Sequence, residues 1–183
     1  MMKSVLIAIR PQGVEKITSG KKTIEVRKSA PQEVPFKCYI YETKGQYVKF
    51  IHGAHTKYGY GRGKVIGEFI CDKVYSIKNR GSSFVVANEE QSVTNEIARQ
   101  SCLYYDDMVS YFGNKDGFGW HISNLTLYDK PKELSEFCIP CKVSCENCKN
   151  PLYFECWCEE KGKKMVTRPP QSWCYVEDLG EEE

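Results

Sequence analysis

Apolar residues along this chain fall into short runs and alternations, with few stretches at helical spacing, a pattern that predicts a strand-rich domain with a handful of helices. Residues 5–9 form an unbroken apolar run of the length of a buried strand. Pro11 then stands where the first turn of a helix tolerates it. Val14 and Ile17 recur at helical spacing and Gly20 supplies a stop, so 11–20 predicts a short helix. Residues 22–28 alternate, placing Lys22, Ile24, Val26 and Lys28 on one face of a strand and Thr23, Glu25 and Arg27 on the other. Segments 36–42 and 64–71, rich in β-branched and aromatic residues, predict two further strands. Between them 45–63 predicts a long loop, with His52, His55 and the run Gly59-Tyr60-Gly61-Arg62-Gly63-Lys64. Helices are predicted over 93–102 and 105–112, the second with Met108, Val109 and Phe112 on one face. A break at 113–117 and one strand over 118–128 follow, and 169–176 ends the pattern with an extended segment.

At 183 residues the chain suits one domain with an appendage better than two independent cores. A net charge of +2 gives no bulk polycationic field, so any nucleic-acid binding must come from a local patch. The charge is uneven: Lys16, Lys21, Lys22, Arg27 and Lys28 surround a lone Glu25, whereas 178–183 is acidic and predicts a solvated, disordered terminus. No apolar run reaches the roughly 18 residues of a membrane span, and the first residues lack a secretory pattern, so a cytoplasmic location without membrane contact is expected. In that reducing setting ten cysteines point to metal binding before disulfides.

Six of those cysteines, Cys138, Cys141, Cys145, Cys148, Cys156 and Cys158, crowd into 21 residues. The segment is too poor in aliphatic side chains to build a core of its own, and a structural zinc ion held by four thiolates would supply the missing folding free energy. Cys145 and Cys148 form the clearest knuckle. Cys141 and Cys158 complete one closed set, with Cys138 and Cys156 as alternates. The tight spacing also resembles, loosely, an iron–sulfur run. The segment has no histidine, which argues against an open catalytic zinc.

The run Gly20-Lys21-Lys22-Thr23-Ile24-Glu25 carries the strongest functional signal. Strict alternation would separate Lys22 from Glu25, so they share a site only if the turn extends through Lys22 or a bulge intervenes. One outcome is an ordinary surface pair beside an edge strand. The other is a cleft in which a cation holds a phosphate or base carbonyl and a carboxylate accepts from a base amino group.

With Ile9-Arg10-Pro11, Ile17 and the segments 37–43, 63–71 and 119–125, this run resembles the signature of the ASCH family, a PUA-like group. The resemblance implies an α+β fold: a PUA-like β-barrel over 3–130 with flanking helices, a Cys-rich, metal-stabilised insertion over 131–168, a closing extended segment over 169–177 and the acidic tail. The insertion ahead of Arg168-Pro169-Pro170-Gln171-Ser172-Trp173 is similar to those of ASCH proteins from phages and low-GC Gram-positive bacteria. The family implies binding of RNA or a modified nucleobase. The candidate contacts are Lys22, Glu25, Arg27, Tyr41, Arg62, Lys64, Trp120 and Trp173, with Lys22 and Glu25 catalytic if the protein is an enzyme. Known relatives include a ribonuclease, for which Lys22, Glu25 and Arg62 would act as base, acid and phosphate clamp. They also include an N(4)-acetylcytidine amidohydrolase, whose nucleophile position is held here by Glu25, with Thr23 one residue off. A third alternative is a protein-interaction module that meets its partner through the Cys-rich insertion.

Overall fold

The computed structural model describes residues 2–51, 55–81, 83–140 and 164–180. Strand β1 (Lys3–Ile9) leads into helix α1 (Pro11–Thr18), and β2 (Ile24–Arg27) precedes β3 (Phe36–Glu42). Strands β4 (Gly45–Ile51) and β5 (His55–Gly61) come before β6 (Lys64–Cys71), β7 (Val74–Asn79) and β8 (Phe84–Val86). Helices α2 (Gln91–Ser101) and α3 (Tyr105–Phe112) follow, then β9 (Gly117–His121), β10 (Ser123–Lys132) and β11 (Trp173–Val176). Among the described residues no helix is long and apolar enough to cross a membrane.

The strands form a five-stranded sheet in the order β10-β6-β3-β1-β11, a four-stranded sheet in the order β2-β9-β7-β8, and the separate pair β4-β5. The expected α+β class holds, but the described strands lie in three sheets and do not close into one barrel. β1 and β3 run parallel, so a crossover must join them, and α1 with β2 supplies it. Every residue of β3 is buried, because it lies between β1 and β6 with both faces covered.

Three apolar clusters hold these layers. The first includes Val5, Ile7, Phe36, Cys38, Phe69 and Trp120, and so joins the large sheet to β9; Trp120 meets Phe36 edge-on with ring centroids 5.1 Å apart. The second packs Ile24, Val26, Ile77, Phe84 and Val86 of the small sheet against Ile97 of α2 and Met108 and Phe112 of α3. Here Gly117 is obligatory, since a Cβ would stand 2.0 Å from the Phe112 ring. The third joins Leu6, Tyr39, Tyr41, Val65 and Val176 to Phe137 and Val166, which flank 141–163. A bridge between Cys138 and Met165 and the bonds Ile139 N to Lys164 O and Val166 N to Phe137 O tie that crossing together.

Several expectations are corrected. The predicted loop over 45–63 is the β4–β5 pair, registered from Gly45 opposite Gly61 to Ile51 opposite His55. The single strand over 118–128 is two, because the chain leaves the small sheet at His121 and joins the large one at Ser123. β7 and β8 are additional. The acidic terminus is held in part: Lys37 Nζ lies 3.1 Å from Asp178, Tyr39 donates to the same carboxylate at 2.5 Å, and Leu179 N donates to the Tyr39 hydroxyl at 3.0 Å.

Candidate functional site

Gly20 adopts φ +71°, a conformation that favours glycine, and turns the chain out of α1. The turn continues: Gly20 N bonds Ile17 O and Lys22 N bonds Lys16 O, both at 2.9 Å, and β2 begins only at Ile24. Lys22 therefore escapes strand alternation and folds back beside Glu25, with Nζ 3.1 Å from Oε2. Glu25 and Arg27 do share a strand face, and Arg27 Nη1 donates to Glu25 Oε1. Arg27 also caps two carbonyls, Val26 O at 3.0 Å and Ala8 O at 2.8 Å, which fastens β2 to the end of β1. All three side chains are buried, Glu25 at 3 % exposure and Lys22 and Arg27 at 8 %. Two cations flank this buried carboxylate, the pairing that burial of an acidic side chain calls for.

This set lines a cleft of about 780 Å³. Its floor is the end of β1 (Ala8, Ile9) and β2, one wall is α1 with Arg10, Gln12 and Lys16, and another is Ser101 to Leu103 with Asp107, Ser110 and Tyr111 of α3. The segment from Pro169 to Ser172 forms the remaining side, tied to β1 by Ala8 N to Ser172 O at 3.0 Å. Asp107, Ser110 and Tyr111 stand at i, i+3 and i+4, one helical face, while Met108 and Phe112 anchor the other in the second cluster. Asp107 is engaged as the α3 cap, accepting from Tyr104 N at 3.0 Å. Among the described lining residues, four cationic ones (Arg10, Lys16, Lys22, Arg27) stand against two carboxylates (Glu25, Asp107), an excess of positive charge. Three of its buried polar atoms, Glu25 Oε2, Arg27 Nε and Ser172 Oγ, have no hydrogen-bond partner among the described residues, although Glu25 Oε2 lies within ion-pair distance of Lys22 Nζ.

Of the residues the sequence singles out, Lys22, Glu25 and Arg27 come together here; the rest lie elsewhere. Trp120 is fully buried in the first cluster. Trp173 packs against Trp120 and Tyr175, and its Nε1 donates to Ser29 Oγ at 3.1 Å. Tyr41 lies in the third cluster at 4 % exposure. Arg62 and Lys64 sit near the base of the β4–β5 pair. Arg62 N donates to Glu42 at 2.9 Å and Lys64 Nζ lies 2.7 Å from Glu133. With Tyr47 and Tyr128, Arg62 lines a second, smaller cavity of about 380 Å³ beside α1. His52, Cys141, Cys145, Cys148, Cys156 and Cys158 lie outside the described residues. Cys138 is described, with Sγ 3.4 Å from Met165 Sδ. Among the described residues no three His, Cys, Asp or Glu side chains converge as a metal site.

The sequence does not single out Arg10, Asp107, Ser110, Tyr111 or Ser172. Arg10 precedes the helix that ends at the motif, which is a local signal; the α3 residues reach the cleft only through tertiary packing and leave none.

No family model and no curated protein matches the chain. Solved structures do. The crystal structure of ASCH from Zymomonas mobilis superposes with a TM-score of 0.55 at 16 % identity, over 96 % of this chain and 88 % of that one. A tyrosine-to-phenylalanine mutant of that protein gives 0.55 at 17 %, over 96 % and 91 %, and a serine-to-alanine mutant gives 0.54 at 16 %, over 96 % and 89 %. Identity this low speaks to fold alone, and the fold is ASCH-like.

Proposed function

We propose that the protein binds single-stranded RNA or a modified nucleobase in this cleft, as a reader that leaves its ligand intact. The observation that carries the proposal is the buried Lys22–Glu25–Arg27 set at the bottom of a cleft with excess positive charge. Ammonium and guanidinium groups donate to phosphate oxygens or base carbonyls, and a carboxylate oxygen accepts from an exocyclic amino group. Arg27, pre-positioned by its bonds to Ala8 O and Val26 O, holds Glu25 in turn, so the set reads a base edge without being reorganised on binding. The ASCH-like fold supports the same class of ligand. The test is fluorescence anisotropy with labelled single-stranded RNA, single-stranded DNA and duplex RNA. Preference for single-stranded RNA supports the proposal, and equal or absent binding of all three contradicts it.

Metal-independent RNA cleavage is the second reading, favoured by the ion-pair distance between Lys22 and Glu25 in one cleft. Arg62 is not among the residues lining that cleft, so Arg27 would hold the phosphate. An acyl-transfer role is less favoured, because Glu25, at the nucleophile position of the amidohydrolase relatives, is held between two cations. For 141–163 we propose one structural zinc ion on Cys141, Cys145, Cys148 and Cys158, with Cys138 and Cys156 as alternates. A protein partner at that insertion is separable from RNA in the cleft by salt, since phosphate contacts weaken steeply as salt rises.

A further inference from the structure

An unpaired base is held by stacking as well as by polar groups, so a cleft that takes one needs an accessible π-face. Neither of the two described tryptophans provides it: Trp120 is fully buried and Trp173 is packed against Trp120 and Tyr175. Tyr111 is the one aromatic side chain among the described residues lining the cleft, and it is 36 % exposed. Its ring makes an edge contact with Phe112, centroids 5.1 Å apart, and Phe112 is itself buried in the second cluster. The ring is also covered by a solvent-exposed cation, with Lys28 Nζ 5.2 Å from the centroid.

We propose that Tyr111 is the stacking platform for the base in this cleft, an inference that rests on the nucleic-acid reading above. The two walls divide the work. Tyr111 on α3 offers the π-face, Lys22, Glu25 and Arg27 meet the base edge from the floor, and Arg10, just before α1, and Lys16, within it, meet the backbone phosphates. Lys28 occupies the ring in the free protein. An exposed cation–π contact is weaker than base stacking, so an incoming base displaces the ammonium, which then lies beside the strand as a further phosphate contact. The platform is indifferent to base identity. Selectivity therefore stays with the floor residues, and Tyr111 sets affinity.

The test compares a single-stranded RNA carrying 2-aminopurine with the same strand carrying an abasic site, for wild type, Tyr111→Ala and Tyr111→Phe. Wild type and Tyr111→Phe should quench 2-aminopurine fluorescence and prefer the base-containing strand by about tenfold. Tyr111→Ala should bind both strands at the abasic level without quenching. Tyr111→Ala that still quenches and still discriminates as wild type does overturns the platform, and leaves the cleft proposal standing if Lys22→Ala has lost binding. Absence of binding by wild type overturns both. A free nucleoside monophosphate forms the last arm: a Tyr111-dependent gain seen only with the strand, or with both ligands, upholds the platform and identifies which source of the base it serves.

Discussion

Glu25→Gln is the most revealing substitution, because it removes one charge and almost no volume from the centre of the site. In the wild type the carboxylate is 3.1 Å from Lys22 Nζ and hydrogen-bonded to Arg27, at 3 % exposure. Gln leaves two cations facing a neutral amide. Removing one partner of a buried charge set costs about 3–5 kcal/mol. The lower end applies, because Arg27 keeps its bonds to Val26 O and Ala8 O and Lys22 stands at the cleft, where its ammonium can turn toward water. A loss of about 3 kcal/mol in a chain of this size lowers Tm by about 6–12 °C. The assay is thermal melting by circular dichroism with and without pyrophosphate. An anion in the cleft replaces the lost negative charge, so pyrophosphate should recover more Tm in Glu25→Gln than in wild type. A variant that melts within about 2 °C of wild type, or gains nothing from the anion, refutes a bridging carboxylate between Lys22 and Arg27.

Three further outcomes follow from the same geometry. Burial works against the charged form of Asp178, but hydrogen bonds from Tyr39 and Lys37 outweigh it and hold the carboxyl below its ordinary value of 3.8. The stability it contributes is full well above that value and is lost as pH falls through the lowered one, so the advantage of wild type over Asp178→Asn in urea melts should hold above about pH 5 and shrink steadily as pH falls below it. RNA affinity should fall with salt with a log–log slope near −0.7 per phosphate contacted, and Arg10→Ala or Lys16→Ala should each reduce the slope by about 0.7. Native mass spectrometry should find one zinc per chain, lost in the Cys145→Ser/Cys148→Ser double variant. A metal-free wild type would remove the proposed role of the insertion.

Where a segment's own pattern decides its structure, the sequence was sufficient. The limits 36–42, 64–71 and 105–112 match β3, β6 and α3, and the Gly20 stop is seen in its positive φ. Alternation correctly paired Glu25 with Arg27, while the position of Lys22 depended on how far the turn ran, a question that alternation leaves open. Pairing partners decide the rest. β4 and β5 carry glycines at 45, 59 and 61, which read locally as loop until the two strands meet. β7 and β8 are likewise defined by β9 and by each other. An aromatic strand residue points into a core or a site with equal ease; Trp120 is core because β9 lies over Phe36. Tyr111 reaches the cleft because Met108 and Phe112 turn the opposite face of α3 into the second cluster, which is information the helix alone does not hold.

The central claim is that the Lys22 cleft binds RNA without cutting it. The most direct measurement incubates wild type and Lys22→Ala with end-labelled single-stranded RNA and single-stranded DNA, and resolves the label on native and denaturing gels. The account predicts intact RNA retained by wild type and released by Lys22→Ala, with the variant still folded because Arg27 continues to pair Glu25. Equal retention by both proteins would place the binding site elsewhere, and shortened label that depends on Lys22 would make the protein a nuclease.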